Sequence, residues 1–252
     1  MNFNDKVVIV TGSSSGIGAA IAIEFSALGA NVCLVGRNQK KLDEVAKKCN
    51  NPLVLVADVT QDKDIQRIVN ETVRYFGKLD ILVNNAGMGS SASIKSETAM
   101  AVFDKIMNTN LRSVVYLTHL AAPHIIKTKG NIINISSVLG LRVLMADSFA
   151  YNTSKAGLDH FTRSVAAELA SDGVRVNSVN PGPVFTDILE NSGANEAIQK
   201  AIFDKMKQGT ALNRISEPSE IADLVIFLAS DKARAITGSV YVSDNGYLIK
   251  TA

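Results

Sequence analysis

A single α/β domain, built on a doubly wound parallel sheet with helices on both faces, is the architecture this sequence predicts. Three observations predict it. Short β-branched runs alternate with longer amphipathic stretches along the chain, which is the pattern of βαβ units. The runs are almost continuously apolar, as strands covered on both faces must be. The 252 residues, 46% of them hydrophobic, supply core enough for one such domain. Right-handed crossovers then wind the sheet in both directions from its first strand, the Rossmann type of fold.

Each element follows in order. Lys6 to Val10 is a strand of β-branched residues, and Gly16 to Leu28 a helix with Ile17, Ala20, Ile21, Phe25 and Leu28 on one face, ended by Gly29. Val32 to Val35 is the second strand. Gln39 to Lys48 is a polar helix with Leu42 and Val45 inward, and Leu53 to Ala57 is the third strand. Asp62 to Phe76 groups Ile65, Ile68, Val69, Val73 and Phe76, with Gly77 at its end. Ile81 to Val83, Asn131 to Ile135, Val174 to Val179 and Ser239 to Val242 complete seven strands. Helices are expected over Ala99 to Ile126, Tyr151 to Ala170 and Glu217 to Ala229. Phe185 to Gly209 is the least strand-like stretch after the sixth strand and is the expected substrate lid.

Composition excludes several classes. A formal net charge of +2 argues against a nucleic-acid or anionic-membrane surface. Two cysteines, Cys33 and Cys49, make neither a disulfide framework nor a zinc cluster. The first residues lack the basic and apolar segments of a signal peptide, and Val7 to Val10 is too short to span a bilayer. The expected address is the cytosol, and no metal is expected.

The first strand runs into Thr11-Gly12-Ser13-Ser14-Ser15-Gly16-Ile17-Gly18. Glycines let the backbone turn sharply beside a pyrophosphate, and the next helix offers unpaired N–H groups at its positive end. Ser14 and Ser15 add hydroxyl donors. A glycine-rich turn by itself is often only a tight turn, but this one follows a strand and opens a helix, as dinucleotide binding requires. At the end of the second strand the chain reads Val35-Gly36-Arg37-Asn38. An acid there accepts from the ribose 2′-hydroxyl, whereas an arginine accommodates a 2′-phosphate. Arg37 therefore points to NADP(H) rather than NAD(H). The competing reading is an exposed arginine opening a loop. Asp58-Val59 follows the third strand, where Asp58 could equally cap the next turn. Asn84-Asn85-Ala86-Gly87 ends the fourth strand at the switch point of the sheet, or is simply an Asn-rich turn.

Tyr151-Asn152-Thr153-Ser154-Lys155 is the sharpest feature. Positions i and i+4 share a helix face. An adjacent ammonium favours phenolate and is expected to lower the tyrosine pKa from about 10. Such pairs also occur on solvated helix faces, but here Ser136-Ser137 ends the fifth strand at the same sheet edge. Both serines could instead cap a loop. Asn108 and Asn110 lie inside the long helical region, where asparagine is unfavourable unless its side chain is used. After the sixth strand comes Asn180-Pro181-Gly182-Pro183-Val184-Phe185-Thr186, a cofactor loop or structural punctuation.

These motifs together resemble the short-chain dehydrogenases/reductases, compact branch, over essentially the whole chain. The resemblance implies a catalytic set of Asn110, Ser137, Tyr151 and Lys155. It implies that Asn85, Ala86 and Gly87 line the cofactor while Asn84 braces the sheet, and that Asp58 and Val59 meet the adenine. It places the Val184 backbone and the Thr186 hydroxyl at the nicotinamide carboxamide, and Pro181 and Gly182 among the cofactor contacts. It also implies a homotetramer, with a dimer second. In the expected reduction Tyr151 donates the proton while Lys155, Asn110 and a water chain resupply it. Two departures stand out. The segment from Ser137 to Tyr151 is a residue longer than in many relatives, and Asp244-Asn245-Gly246 replaces the usual Asp-Gly-Gly.

The candidate substrate residues are Leu141, Val143, Leu144, Met145, Phe149, Phe185, Ile188, Leu189, Ile202, Phe203 and Met206. Their character points to a small hydrophobic ketone or alcohol, such as a steroid, terpenoid or xenobiotic. Leu34 to Asn38 and Thr118-His119-Leu120 resemble animal, especially invertebrate, carbonyl reductase-like members. A 3-oxoacyl-thioester reductase of the carrier-protein type is the alternative. A non-catalytic nicotinamide-binding protein is the rival of another class.

Overall fold

The computed structural model describes residues 1–186 and 196–250, with 196–200 described by backbone alone. Seven strands form one parallel sheet in the order β3-β2-β1-β4-β5-β6-β7. They are β1 (Val7–Thr11), β2 (Asn31–Gly36), β3 (Leu53–Val56), β4 (Ile81–Asn84), β5 (Asn131–Ile135), β6 (Arg175–Pro181) and β7 (Val240–Ser243). The helices are α1 (Gly16–Ala27), α2 (Gln39–Ala46), α3 (Asp62–Phe76), α4 (Ala99–Met107), α5 (Ser113–Thr128), α6 (Phe149–Leu169), α7 (Glu196–Gln208) and α8 (Pro218–Ala229).

Strand alternation divides the core in two. In β1, Val8 and Val10 face a cluster with Ile21 and Phe25 of α1, Leu42 of α2 and Ile221 and Val225 of α8. Val7 and Ile9 face the opposite cluster, with Ile65 and Ile68 of α3, Leu117 and Ile125 of α5 and Ala166 of α6. All of β1 is therefore buried, which explains its unbroken apolar run. The buried stripe of α1 is Gly18, Ile21, Ala22, Phe25 and Ser26. Ile17, Ala20 and Leu28 only flank it.

The chain winds outward from β1, which pairs with both β2 and β4. The crevice at that switch point opens at the carboxyl ends of the strands. The region Ala99 to Ile126 is helical as expected, but it is not α-helical throughout. A π-helical turn, Asn108–Arg112, separates α4 from α5. It brings Asn110 inward to full burial, where its amide finds partners that an even α-helical run would not have offered. The tyrosine helix also starts two residues early, at Phe149.

Candidate active site

The turn after β1 is built by its neighbours as much as by its glycines. Gly12 and Gly16 have φ of +67° and +55°, the left-handed region that glycine alone enters without strain. A Cβ on Gly12 would lie 2.9 Å from the Ala86 Cα, and one on Gly18 would collide with the Asn85 amide and the Gly12 carbonyl. The Thr11 hydroxyl accepts from the backbone N–H groups of Asn85 and Ala86, both at 3.0 Å. In return the Asn85 side chain donates to the Thr11 carbonyl at 2.8 Å. Ser13 accepts from the Val35 N–H at 2.8 Å and ties the turn to β2. Thr11 and Ser13 are thus positioning residues that the glycine pattern does not reveal. Helix α1 starts at this turn with no acid in its first turn and no side-chain cap from Ser15, so its own first turn leaves its positive end without a countercharge.

At the end of β2 a Cβ on Gly36 would stand 3.3 Å from the Ser14 Cβ, so Ser14 and Arg37 border one corner. Arg37 is exposed and forms no ion pair among the described residues. Asn38 caps α2, its side-chain carbonyl accepting from the Lys41 N–H at 3.0 Å. Asp58 accepts from the Thr60 N–H and hydroxyl at 2.9 and 2.8 Å, and Val59 packs on the second core cluster. The side chains of Asn38 and Asp58 are thus engaged in local turns. Asn84 donates to Asn134 at 2.9 Å, bracing β4 against β5.

Lys155 and Asn110 meet at Gly87, and Tyr151 with its partner Ser137 adjoins Lys155. A Cβ on Gly87 would sit 3.4 Å from Asn110 Oδ1 and 3.6 Å from Lys155 Nζ. Lys155 Nζ lies 5.7 Å from the Tyr151 ring centroid and donates to the Ile135 carbonyl at 2.8 Å. Asn110 accepts from the Met88 N–H and donates to the Met88 carbonyl, each at 2.9 Å, and donates to Ser154 at 3.2 Å. The two serines divide the work. Ser136 donates inward to the Lys155 carbonyl at 3.2 Å, while the Ser137 hydroxyl is a hydrogen-bond partner of the Tyr151 phenol.

The electrostatics differ from the sequence expectation at one point. Burial raises the Tyr151 pKa above 10, and the Ser137 hydrogen bond only partly opposes this. Desolvation of the phenolate is the larger effect. Burial also draws the Lys155 pKa down from 10.5 to about 8, with Asp159 opposing.

The loop after β6 closes the crevice from above. Thr186 lies against the glycine turn, 3.0 Å from where a Gly16 Cβ would be. Pro181 ends β6. Gly182 donates to the Ser243 carbonyl at 3.0 Å and has no room for a Cβ beside Asp244. Val184 bridges to Ser216, and Asn245, at φ +51°, donates to the Ser216 hydroxyl at 2.8 Å. That asparagine therefore pins the C-terminal turn to the segment bridged to the loop. Leu141, Val143 and Met145 are exposed, and the Phe185 ring lies 5.0 Å from that of Phe203 of α7 at a tilt of 49°. Leu144, Phe149, Ile202 and Met206 are half-buried. Ile188 and Leu189 lie outside the described residues, as does much of the expected lid.

The glycine-only cradle, the uncontested helix start and the opening at Gly87 fit a dinucleotide laid across the strand ends. Comparison with known proteins agrees. The family model described as enoyl-(acyl carrier protein) reductase matches residues 12–248. The chain is 35% identical to the L-fucose dehydrogenase of Mus musculus, over 91% of this chain and 84% of that one. It is 36% identical to the meso-2,3-butanediol dehydrogenase of Serratia marcescens, over 98% and 96%. A Caenorhabditis elegans short-chain dehydrogenase/reductase of unknown function, crystallised with cofactor, superimposes with a TM-score of 0.94 at 34% identity, covering 99% of this chain and 97% of its own. Motif, topology and likeness converge, and the chain belongs to the short-chain dehydrogenase/reductase family, whose members are nicotinamide-dependent oxidoreductases.

Proposed function

We propose that this protein is an NADP(H)-dependent oxidoreductase that interconverts a carbonyl and an alcohol on a small hydrophobic substrate. One observation carries the reading: Tyr151 has Ser137 as its hydrogen-bond partner and Lys155 beside its ring, and that lysine reaches Gly87 of the glycine-lined crevice. The nicotinamide, when bound, supplies the hydride. The chain's own residues do the rest. Gly12, Ser14, Ser15, Gly16, Ile17 and Gly18 cradle the pyrophosphate, and Arg37 answers the 2′-phosphate. Asn85, Ala86 and Gly87 floor the crevice, and Val184 and Thr186 orient the ring end. Ser137 and Tyr151 hold the substrate oxygen. Tyr151 gives its proton in reduction and takes one in oxidation. A phenol kept neutral by burial is the form that reduction needs, and Lys155 stabilises the phenolate left behind. Asn110 holds Met88 and Ser154 in place beside that pair. The assembly we propose is a homotetramer in the cytosol; light scattering at one protomer mass would overturn it. Among the described residues no helix is long and apolar enough to cross a membrane.

The test is NADPH consumption against apolar ketones, steroid ketones, quinones and an acetoacetyl thioester, with NADH in parallel. Turnover of apolar ketones with NADPH preferred supports the whole reading. An NADH preference overturns the role of Arg37 and leaves the chemistry. A second reading, a polyol or sugar as substrate, is favoured by the names of the fucose and butanediol relatives. L-fucose and 2,3-butanediol with NADP⁺ or NAD⁺ therefore join the panel. Saturable NADPH binding without any turnover would point to a binding protein.

A further inference from the structure

Helix α6 carries more than the tyrosine and the lysine. Tyr151, Lys155, Asp159 and Arg163 follow one another at intervals of four residues, so they line one face of the helix. Lys155 and Asp159 are 4% and 2% exposed. A buried charge is costly unless it is paired or well hydrogen-bonded. Neither has a salt-bridge partner among the described residues within contact distance. Each therefore depends on what else surrounds it.

For Lys155 those surroundings are almost wholly neutral. The loop after β4 brings Gly87, the π turn brings Asn110, and the end of β5 brings the Ile135 carbonyl and the two serines. The charged groups of α4 nearest in sequence to the π turn, Asp104 and Lys105, are exposed. On α6 itself stand Tyr151, held neutral by burial, and Asp159, the one anion that acts on the lysine. Arg163, exposed on the next turn, acts on Asp159 in turn.

Asp159 is held with care. Asn180 of β6 donates to one carboxylate oxygen at 2.8 Å and Ser178 to the other at 3.2 Å. Burial raises the Asp159 pKa, and these hydrogen bonds, with Ser136 just after β5, oppose that rise and favour the carboxylate. The Asn180 amide also donates to the Ser137 carbonyl at 2.9 Å. The turn after Ser137 closes directly on this cluster: a Cβ on Gly140 would stand 3.1 Å from an Asp159 oxygen. One carboxylate thus joins the helix of the tyrosine and lysine to the strand of the serine.

We propose that Asp159 is a positioning residue for the reaction: its buried carboxylate is the counter-ion that holds Lys155 as an ammonium, and through Asn180 it fixes the backbone of Ser137. This rests on the reading of Tyr151 and Lys155 as the acid–base pair. The neutral fold would tolerate any group that accepts from Asn180 and Ser178; only the charge serves the lysine.

The experiment is the pH profile of kcat/KM with saturating NADPH and a substrate found in the panel, for wild type, Asp159→Asn, Asp159→Glu and Lys155→Met. With the carboxylate gone, the basic limb of Asp159→Asn should move to lower pH by about one unit, whereas Asp159→Glu should return it to within about 0.3 unit of wild type. A basic limb unmoved in a folded Asp159→Asn overturns the proposal, and so does an equal shift in Asp159→Glu. Asp159→Ser is the second neutral variant. If neither neutral variant folds while Asp159→Glu folds and keeps the wild-type limb, the charge is structural and the proposal falls. Lys155→Met separates the two readings: wild-type turnover there sinks the acid–base assignment itself, while an inactive Lys155→Met beside an unmoved Asp159→Asn sinks only the role of Asp159.

Discussion

At the scale of single residues, two burials set the chemistry. Tyr151 is held neutral and Lys155 titrates near 8. Tyr151→Phe keeps the ring and removes the proton. Turnover should fall by a factor of about 10² to 10⁴, with NADPH affinity by fluorescence titration changed less than about threefold; full activity would refute the assignment. Lys155 also marks stability. Its folded pKa lies below the unfolded 10.5, so between pH 8 and 10.5 the unfolded chain binds more protons and wild-type stability rises with pH. Lys155→Met should lack that slope, so urea unfolding at pH 8 and pH 10 should show wild type gaining on the variant. An equal slope in both proteins would contradict a buried ammonium. The proposed reacting residues are legible in the sequence because four-residue spacing and strand-end serines are local signals. The direction of the tyrosine shift is not, because desolvation depends on what covers the ring. Asp159 was within reach as the next step of the same spacing, but its partners Ser178 and Asn180 come from another strand.

At the scale of elements, the glycine turn and the π turn contrast. The turn after β1 is legible because strand, glycines and helix are contiguous. Its braces are not, since Thr11 and Ser13 act on residues 74 and 22 positions away. The π turn has no sequence marker beyond two asparagines, and its cause is tertiary: the Asn110 amide is bonded to Met88 and Ser154. Glycines at the turn test the cradle. Gly18→Ala places a methyl on the Asn85 amide and the Gly12 carbonyl. Overpacking there should cost about 1–3 kcal/mol and raise the NADPH Kd at least about tenfold. Gly77, at φ +81° with nothing within 4 Å of its Cβ position, is the control. Gly77→Ala should lose about 1 kcal/mol from the left-handed conformation and leave NADPH binding as it was. Equal losses of affinity in both variants would show that Gly18 shapes the fold and not the cradle.

At the scale of the molecule, the two edges of the sheet do different work. The amino-terminal edge is held by Asp80, which accepts from the Val7 N–H at 2.9 Å and pairs with Lys6 and Lys78 at 3.4 and 3.1 Å. Both lysines stand partly in water, so Asp80→Ala should cost about 2 kcal/mol rather than the full penalty of a broken buried pair. Turnover per folded molecule should be unchanged, because no group of the crevice touches it; a lower kcat would join the edges. The sheet order is legible because crossover handedness leaves few topologies. The substrate is not, because it depends on side chains from the loop after β5, the loop after β6 and α7, and on how far apart these stand. What the structure adds is the exposure of Leu141, Val143 and Met145, by 43%, 75% and 44%. The loop that presents them is tethered: Arg142 donates to the Leu248 carbonyl at 2.8 Å, and the Asp147 carbonyl accepts from Ala92 and Ser91. On the proposed reading, this tethered apolar edge selects substrate by contact area. Val143→Asp, at a position so exposed, should alter stability by less than about 0.5 kcal/mol. It should lower kcat/KM for a bulky apolar ketone by a factor of about 10 to 100 and leave 2,3-butanediol within about twofold. If both substrates fell together, the loop would serve the chemistry rather than the choice of substrate. If neither fell, the apolar edge would face something other than substrate.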